Sequence, residues 1–179
     1  MIDNYEAMKK LFLIILLFSF IQSFSQEISK KELRQQKEQE EFNSTISLIN
    51  SKEFEFNANQ ALPLNGPSID LSTNTNQLIV KNDSLICDMP FFGRAFNIDY
   101  NEQGGFHFSG TISNYKKDIH SKKKKIELKF NLKNQSDSYQ FHLTISFNKN
   151  ASLTILSNNR AAITYWGKID ELKKNSENQ

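Results

Sequence analysis

The side chains with the most distinctive chemistry in this chain are its arginines. Lysine and arginine together number 22, and only Arg34, Arg94 and Arg160 are arginines, leaving 19 lysines (22 − 3). A guanidinium presents five donors in a planar fork and stacks on rings, which an ammonium cannot copy. Arg94 stands in Met89-Pro90-Phe91-Phe92-Gly93-Arg94-Ala95-Phe96, and Arg160 follows Ser157-Asn158-Asn159. Two readings fit these surroundings. In one, Arg94 and Arg160 grip a carboxylate or phosphate at the mouth of a β structure. Phe91, Phe92, Phe96, Phe106 and Tyr165 then form an apolar seat beside them for an apolar or amphipathic small molecule. In the other, each arginine ties the carbonyls of a turn or stacks on Phe91 or Tyr165, and the phenylalanines plug the core.

Catalytic chemistry has less to work with. His107, His120 and His142 are the three histidines, and no two have a metal-ligand spacing such as i, i+4 on a helix or i, i+2 on a strand. Asp83, Asp88 and Asp99 form a carboxylate pair only if the fold brings two of them together. Neither a nucleophile elbow nor a glycine-rich phosphate loop is present. Cys87 is the single cysteine. It alternates with Leu85 and Met89 on one strand face, the pattern of a buried thiol acting as a small hydrophobe. The expectation is a non-enzyme with no metal and no cofactor.

The elements that must position these residues are strands. From Lys52 onward the apolar period is two. Phe54 and Phe56 alternate with glutamates, as do Ile126, Leu128, Phe130 and Leu132 with polar residues, and Tyr139, Phe141, Leu143, Ile145 and Phe147 likewise. Leu153 and Ile155, then Ile163 and Tyr165, continue the alternation of strands with one buried face. Lys81-Asn82-Asp83, Asn134-Gln135-Ser136-Asp137, Asn148-Lys149-Asn150 and Ser157-Asn158-Asn159 supply hairpin turns. No connection is long enough for a parallel crossover. The spacing predicts a mostly β fold: a lipocalin-like antiparallel meander of about eight to ten strands, closed as a barrel or folded as a sandwich, with the barrel favoured. Lys122–Lys125, with Lys116 and Lys117, reads as a solvated loop tip containing His120. Trp166 faces opposite to Tyr165, so an inward Tyr165 turns Trp166 outward as a candidate partner surface.

Ahead of this domain, Ser29-Lys30-Lys31-Glu32 has the form of a capping box, and 30–41 is polar and helix-forming. Phe42, Ile46 and Ile49 then give the end of that helix one apolar face. At the amino terminus, Met8-Lys9-Lys10, the apolar run Leu11 to Ile21 and Ser23-Phe24-Ser25 form an export signal with a cut after Ser25. The run is too short to span a membrane, and no cysteine follows the cut. The expected organisation is a cleaved leader over 1–25, a polar helix over 26–51, a β domain over 52–170 and a disordered tail over 171–179. The mature chain has no transmembrane segment, and is periplasmic or secreted and not a lipoprotein.

Several motifs in order resemble one family. They are Phe54-x-Phe56 with Ala61-x-Pro63, Leu78-x-Val80-x-x-Asp83-Ser84, Met89 to Ala95, Gly104-Gly105-x-x-Phe108, Tyr139-x-Phe141-x-Leu143, Ser157 to Arg160, and Ile163-x-Tyr165-x-Gly167. The chain from about residue 30 to 169 is similar to the exported proteins of Bacteroidota grouped as domain of unknown function 4251. The resemblance implies an envelope location and one β-rich domain, and brings no activity. Phe92 stands where that family usually has tyrosine, which removes a hydroxyl from any phenol-based site.

The net charge is +2. Loss of 1–25 removes Asp3, Glu6, Lys9 and Lys10 and leaves it unchanged, well below the basic face that a nucleic-acid module carries. The sequence therefore points to an exported binding module. The alternative is an envelope interaction protein that uses its helix or its Trp166 face.

Overall fold

Alternation of large apolar and polar side chains forms this domain, because each strand can bury one face only by curling around the others. The computed structural model describes residues 9, 29–73, 76–97, 104–135 and 137–172. Most of the expected leader, Asp99 and most of the expected tail lie outside them. A helix, α1, covers 29–51. Ten strands follow: β1 Glu53–Pro63, β2 Ile69–Asp70, β3 Gln77–Lys81, β4 Ser84–Pro90, β5 Gly105–Thr111, β6 Ser113–His120, β7 Lys125–Lys133, β8 Ser138–Ser146, β9 Asn150–Ser157 and β10 Ile163–Glu171. A single 3-10 turn, Ser121–Lys123, joins β6 to β7.

All ladders are antiparallel. The sheet runs β5-β4-β3-β1-β10-β9-β8-β7-β6, and β2 pairs with β1 beyond the end of β3. It is therefore two meanders stitched together by the first and last strands, in the register Phe56↔Ile169, Ala58↔Gly167 and Ala61↔Tyr165. The sheet curls into a half-barrel. Its edge strands β5 and β6 are consecutive in the chain, linked through Ile112, but do not pair with each other. Side chains fill that seam: Gly110 lies against Leu132, and Phe108 stacks on Tyr139 at 4.2 Å.

The inner faces carry Phe54, Phe56, Leu78, Leu85, Phe130, Phe141, Leu153 and Ile169, all essentially inaccessible. At ~1.5–3 kcal/mol for each large side chain removed from water, this core dominates stability. Cys87 belongs to it, and burial first, then the neighbouring Asp88 charge, pushes its thiol pKa up. The last turns of α1 bury Phe42, Thr45, Leu48 and Ile49. The Thr45 hydroxyl lies 2.9 Å from both the Glu41 and Phe147 carbonyls, fastening this end of α1 to the β8–β9 turn. Ile46 packs against the same core.

Two local expectations change. Ser29 is already helical, so it does not act as the cap. His120 does not sit in a loop; it ends β6, where its Nε2 is 3.8 Å from Glu127. As an edge strand β6 keeps nearly every side chain wet, so it shows no apolar period. Its lysines and the bulge between Ser113 and Lys116 also discourage pairing with another chain.

Candidate functional site

Turn chemistry builds one end of the half-barrel. Asp137, buried just before β8, accepts from the Ser138 amide at 2.7 Å, the Asn158 amide at 3.1 Å and the Ser157 hydroxyl at 2.5 Å. Ser157 Oγ in turn accepts from the amides of Asn159 and Arg160, both at 3.1 Å. This fixes the β9–β10 turn and sends Arg160 inward. The arginine is 5% exposed. Its Nη1 donates to the Gly105 carbonyl, and its guanidinium lies over the rings of Phe91 and Phe106 at 5.4 and 5.2 Å. Backbone bonds close the same clasp, with Phe96 N–H donating to Asn159 O at 2.7 Å and Ala161 N–H to Arg94 O at 2.9 Å. Tyr165 is fully buried and donates to the Pro90 carbonyl at 2.6 Å; burial pushes its hydroxyl pKa up, against a smaller opposing effect of Arg160.

Of the seven residues proposed from sequence, the structure thus brings Phe91, Phe106, Arg160 and Tyr165 together as a packed clasp. Phe106 joins the core at 1% exposure, meeting Phe91 edge-on at 5.4 Å. Arg160 follows the second of the two readings above: it ties a carbonyl and stacks on rings. Phe92 is half-buried and packs against the core, while Arg94 is exposed and Phe96 is 64% exposed. Asp137 was missed by the sequence reading. The only trace of it was its place in an Asn-rich hairpin turn, where a solvated turn residue is the default.

On the outer face of β4 and β5, His107 Nδ1 meets Asp88 Oδ1 at 2.7 Å, both side chains nearly half exposed. A histidine–carboxylate pair can orient a base. Among the described residues, however, no hydroxyl or thiol bonds this ring, whose Nε2 lies where a Cβ on Gly105 would stand. Asp83 instead pairs with Lys52 at 3.0 Å.

A second arrangement lies on the outer wall. The register places Gln60, Trp166, Ser152 and Thr144 in one row across β1, β10, β9 and β8. A bulge inserts Asn59 into β1 between the pairs Ala58↔Gly167 and Gln60↔Trp166. The bulge is possible because Gly167 has no side chain: a Cβ there would stand 2.0 Å from the Asn57 carbonyl oxygen. Together with Ser146 and Asn150, this row lines an open groove of about 430 Å³. Its floor includes Trp166, the single tryptophan, 49% exposed. Among the described residues, none of the polar side chains lining it hydrogen-bonds another part of the chain. The neighbouring outward groups differ: Thr154 bonds Thr164 at 2.9 Å, and Lys125 pairs with Glu127 at 2.7 Å.

The described β domain is a filled antiparallel half-barrel with an open groove on its outer wall. The chain belongs to the family described as Domain of unknown function (DUF4251), whose profile matches residues 36–169. A crystal structure of a DUF4251 family protein from Bacteroides eggerthii is similar to it at 25% identity. That match has a TM-score of 0.56 and covers 73% of this chain and 87% of the other. No curated protein matches. Among the described residues, no helix is long and apolar enough to cross a membrane.

Proposed function

We propose that the protein is an exported, non-catalytic binding module of the cell envelope that meets its ligand on the outer wall around Trp166. The leader-like start Met8 to Ser25 supports export. The observation that carries the binding site is the set of unpartnered hydroxyls and amides around a half-exposed indole. These side chains converge on one open concavity, where the ring offers apolar contact beside polar groups that are free to meet a ligand.

A second reading keeps the ligand at the clasp end. Phe106, Arg160 and Tyr165 are occupied by packing, so an apolar or amphipathic ligand there would meet Arg94, Phe96 and the half-buried Phe91 and Phe92. The exposure of Phe96 beside an exposed arginine favours it.

Because Trp166 is the single tryptophan, fluorotryptophan labelling gives one fluorine resonance that reports on the groove. Adding a soluble extract of the producing cell's own envelope is expected to shift or broaden that resonance saturably. An unchanged resonance at saturating extract rejects the wall as the binding surface.

A further inference from the structure

We infer that the Trp166 groove is a site for a neutral carbohydrate chain, an assignment that rests on the wall-binding reading above and names its ligand class. The lining contains one indole, the amides of Asn59, Gln60 and Asn150, and the hydroxyls of Thr144 and Ser152. None of these carries charge, so an anionic ligand finds no counter-charge in the groove itself. A lipid chain would strand the amides without partners, which is costly once water is excluded. A protein hot spot clusters several large aromatic or arginine anchors in a desolvated centre, whereas here one ring stands among small polar groups.

A pyranose matches each of these features. Its flat face presents C–H groups to the electron-rich face of an indole. Its rim carries hydroxyls, each both donor and acceptor. Side-chain amides offer both roles from one group, and serine and threonine hydroxyls rotate to supply either. The volume, about 430 Å³, lies in the lower part of the roughly 300–1,000 Å³ range of small-molecule sites. Because the groove is open along the wall, it suits internal units of a chain better than an enclosed single sugar.

The backbone that carries the groove is fixed by the sheet. Its side chains come from four adjacent strands in continuous register, and the bulge at Asn59 is held by the close approach of Gly167 to Asn57. Because the strands are already ordered, binding costs only side-chain freedom, which favours recognition of a weakly held, hydroxyl-rich ligand.

The test uses Trp166 emission from the mature chain, residues 26–179, titrated to millimolar concentration with the hexasaccharides of cellulose, xylan, mannan, starch and chitin, and with a hexagalacturonate as the anionic comparison. At least one neutral oligomer is expected to change the emission saturably. Gln60→Ala should weaken that affinity about fivefold, the loss of one hydrogen bond. Calorimetry on Trp166→Ala should show a loss of about tenfold or more, with Trp166→Phe between the two. Thermal melts of the variants report whether folding is kept. No response to any neutral oligomer, or a response to the galacturonate alone, overturns the assignment. If the envelope extract moves the fluorine resonance while no neutral oligomer changes the emission, only the carbohydrate assignment fails; if neither responds, the wall-binding reading fails with it.

Discussion

Replacing Gly167 by alanine is expected to destabilise the domain by about 3 kcal/mol or more, because overpacking against an unyielding neighbour costs ~1–3 kcal/mol and more where backbone must move. The neighbours here are all backbone. The new Cβ would stand 2.0 Å from Asn57 O, 2.8 Å from Asn57 C and 2.9 Å from Ala58 Cα. None is the far end of a flexible side chain, so relief requires β1 and β10 to part at the bulge. Those two strands join the two meanders, so the strain acts on the one ladder that holds the sheet together. For a domain of this size the melting temperature should fall by roughly 10 °C, at about 2–4 °C for each kcal/mol. Urea unfolding of Gly167→Ala beside Trp166→Ala checks this: the first midpoint should drop sharply and the second hardly move, since Trp166 is half exposed. Equal midpoints would show that the bulge is soft.

Arg160→Leu should cost about 3 kcal/mol, through three losses. The Gly105 carbonyl loses its charged donor, at ~1–3 kcal/mol for a buried group left unsatisfied. The two ring faces lose cation–π contacts worth roughly 0.5–2 kcal/mol each when desolvated. Leucine recovers part of the buried volume, which keeps the total from rising further. Arg160→Lys should recover little, because an ammonium cannot span the Gly105 carbonyl and both rings. Urea titration gives the magnitude. Amide hydrogen exchange at Phe106 and His107 gives the location, since β5 is an edge strand and Arg160 grips its first residue. Faster exchange confined to that end is expected. Exchange unchanged at β5 would show that Arg160 does not hold the strand.

Both predictions arise where the sequence was only partly legible. The period-two runs in β1, β7, β8 and β9 were plain, because a sheet with one wet face writes its pleat directly into the chain. The Asn- and Asp-rich turns placed the hairpins for the same local reason. Pairing of β1 with β10 could not be read, since no local pattern says which distant strand will close a curled sheet. The seam between β5 and β6 was hidden too, because an edge strand such as Ser113–His120 has little apolar alternation. At the clasp, the rarity of arginine singled out Arg94 and Arg160 alike, and only Arg160 bonds a carbonyl and stacks on rings. Burial then separated them: Arg160 turned inward because Asp137 and Ser157 fix its turn, whereas Arg94 kept to the surface. Residue type alone carries no such information. Trp166 was legible as outward-facing from its alternation with Tyr165. Its partners in the groove were not, because Gln60, Ser152 and Thr144 come from three other strands and meet only through register.

The most direct test compares retention of the protein on native envelope fragments for Trp166→Ala and Phe96→Ala. Both side chains are exposed, so both variants should fold, and each removes the ring of one candidate surface. The account predicts that Trp166→Ala is lost from the sedimented fraction while Phe96→Ala is retained like the natural protein. Loss of Phe96→Ala with Trp166→Ala retained would place the ligand at the clasp end and contradict it.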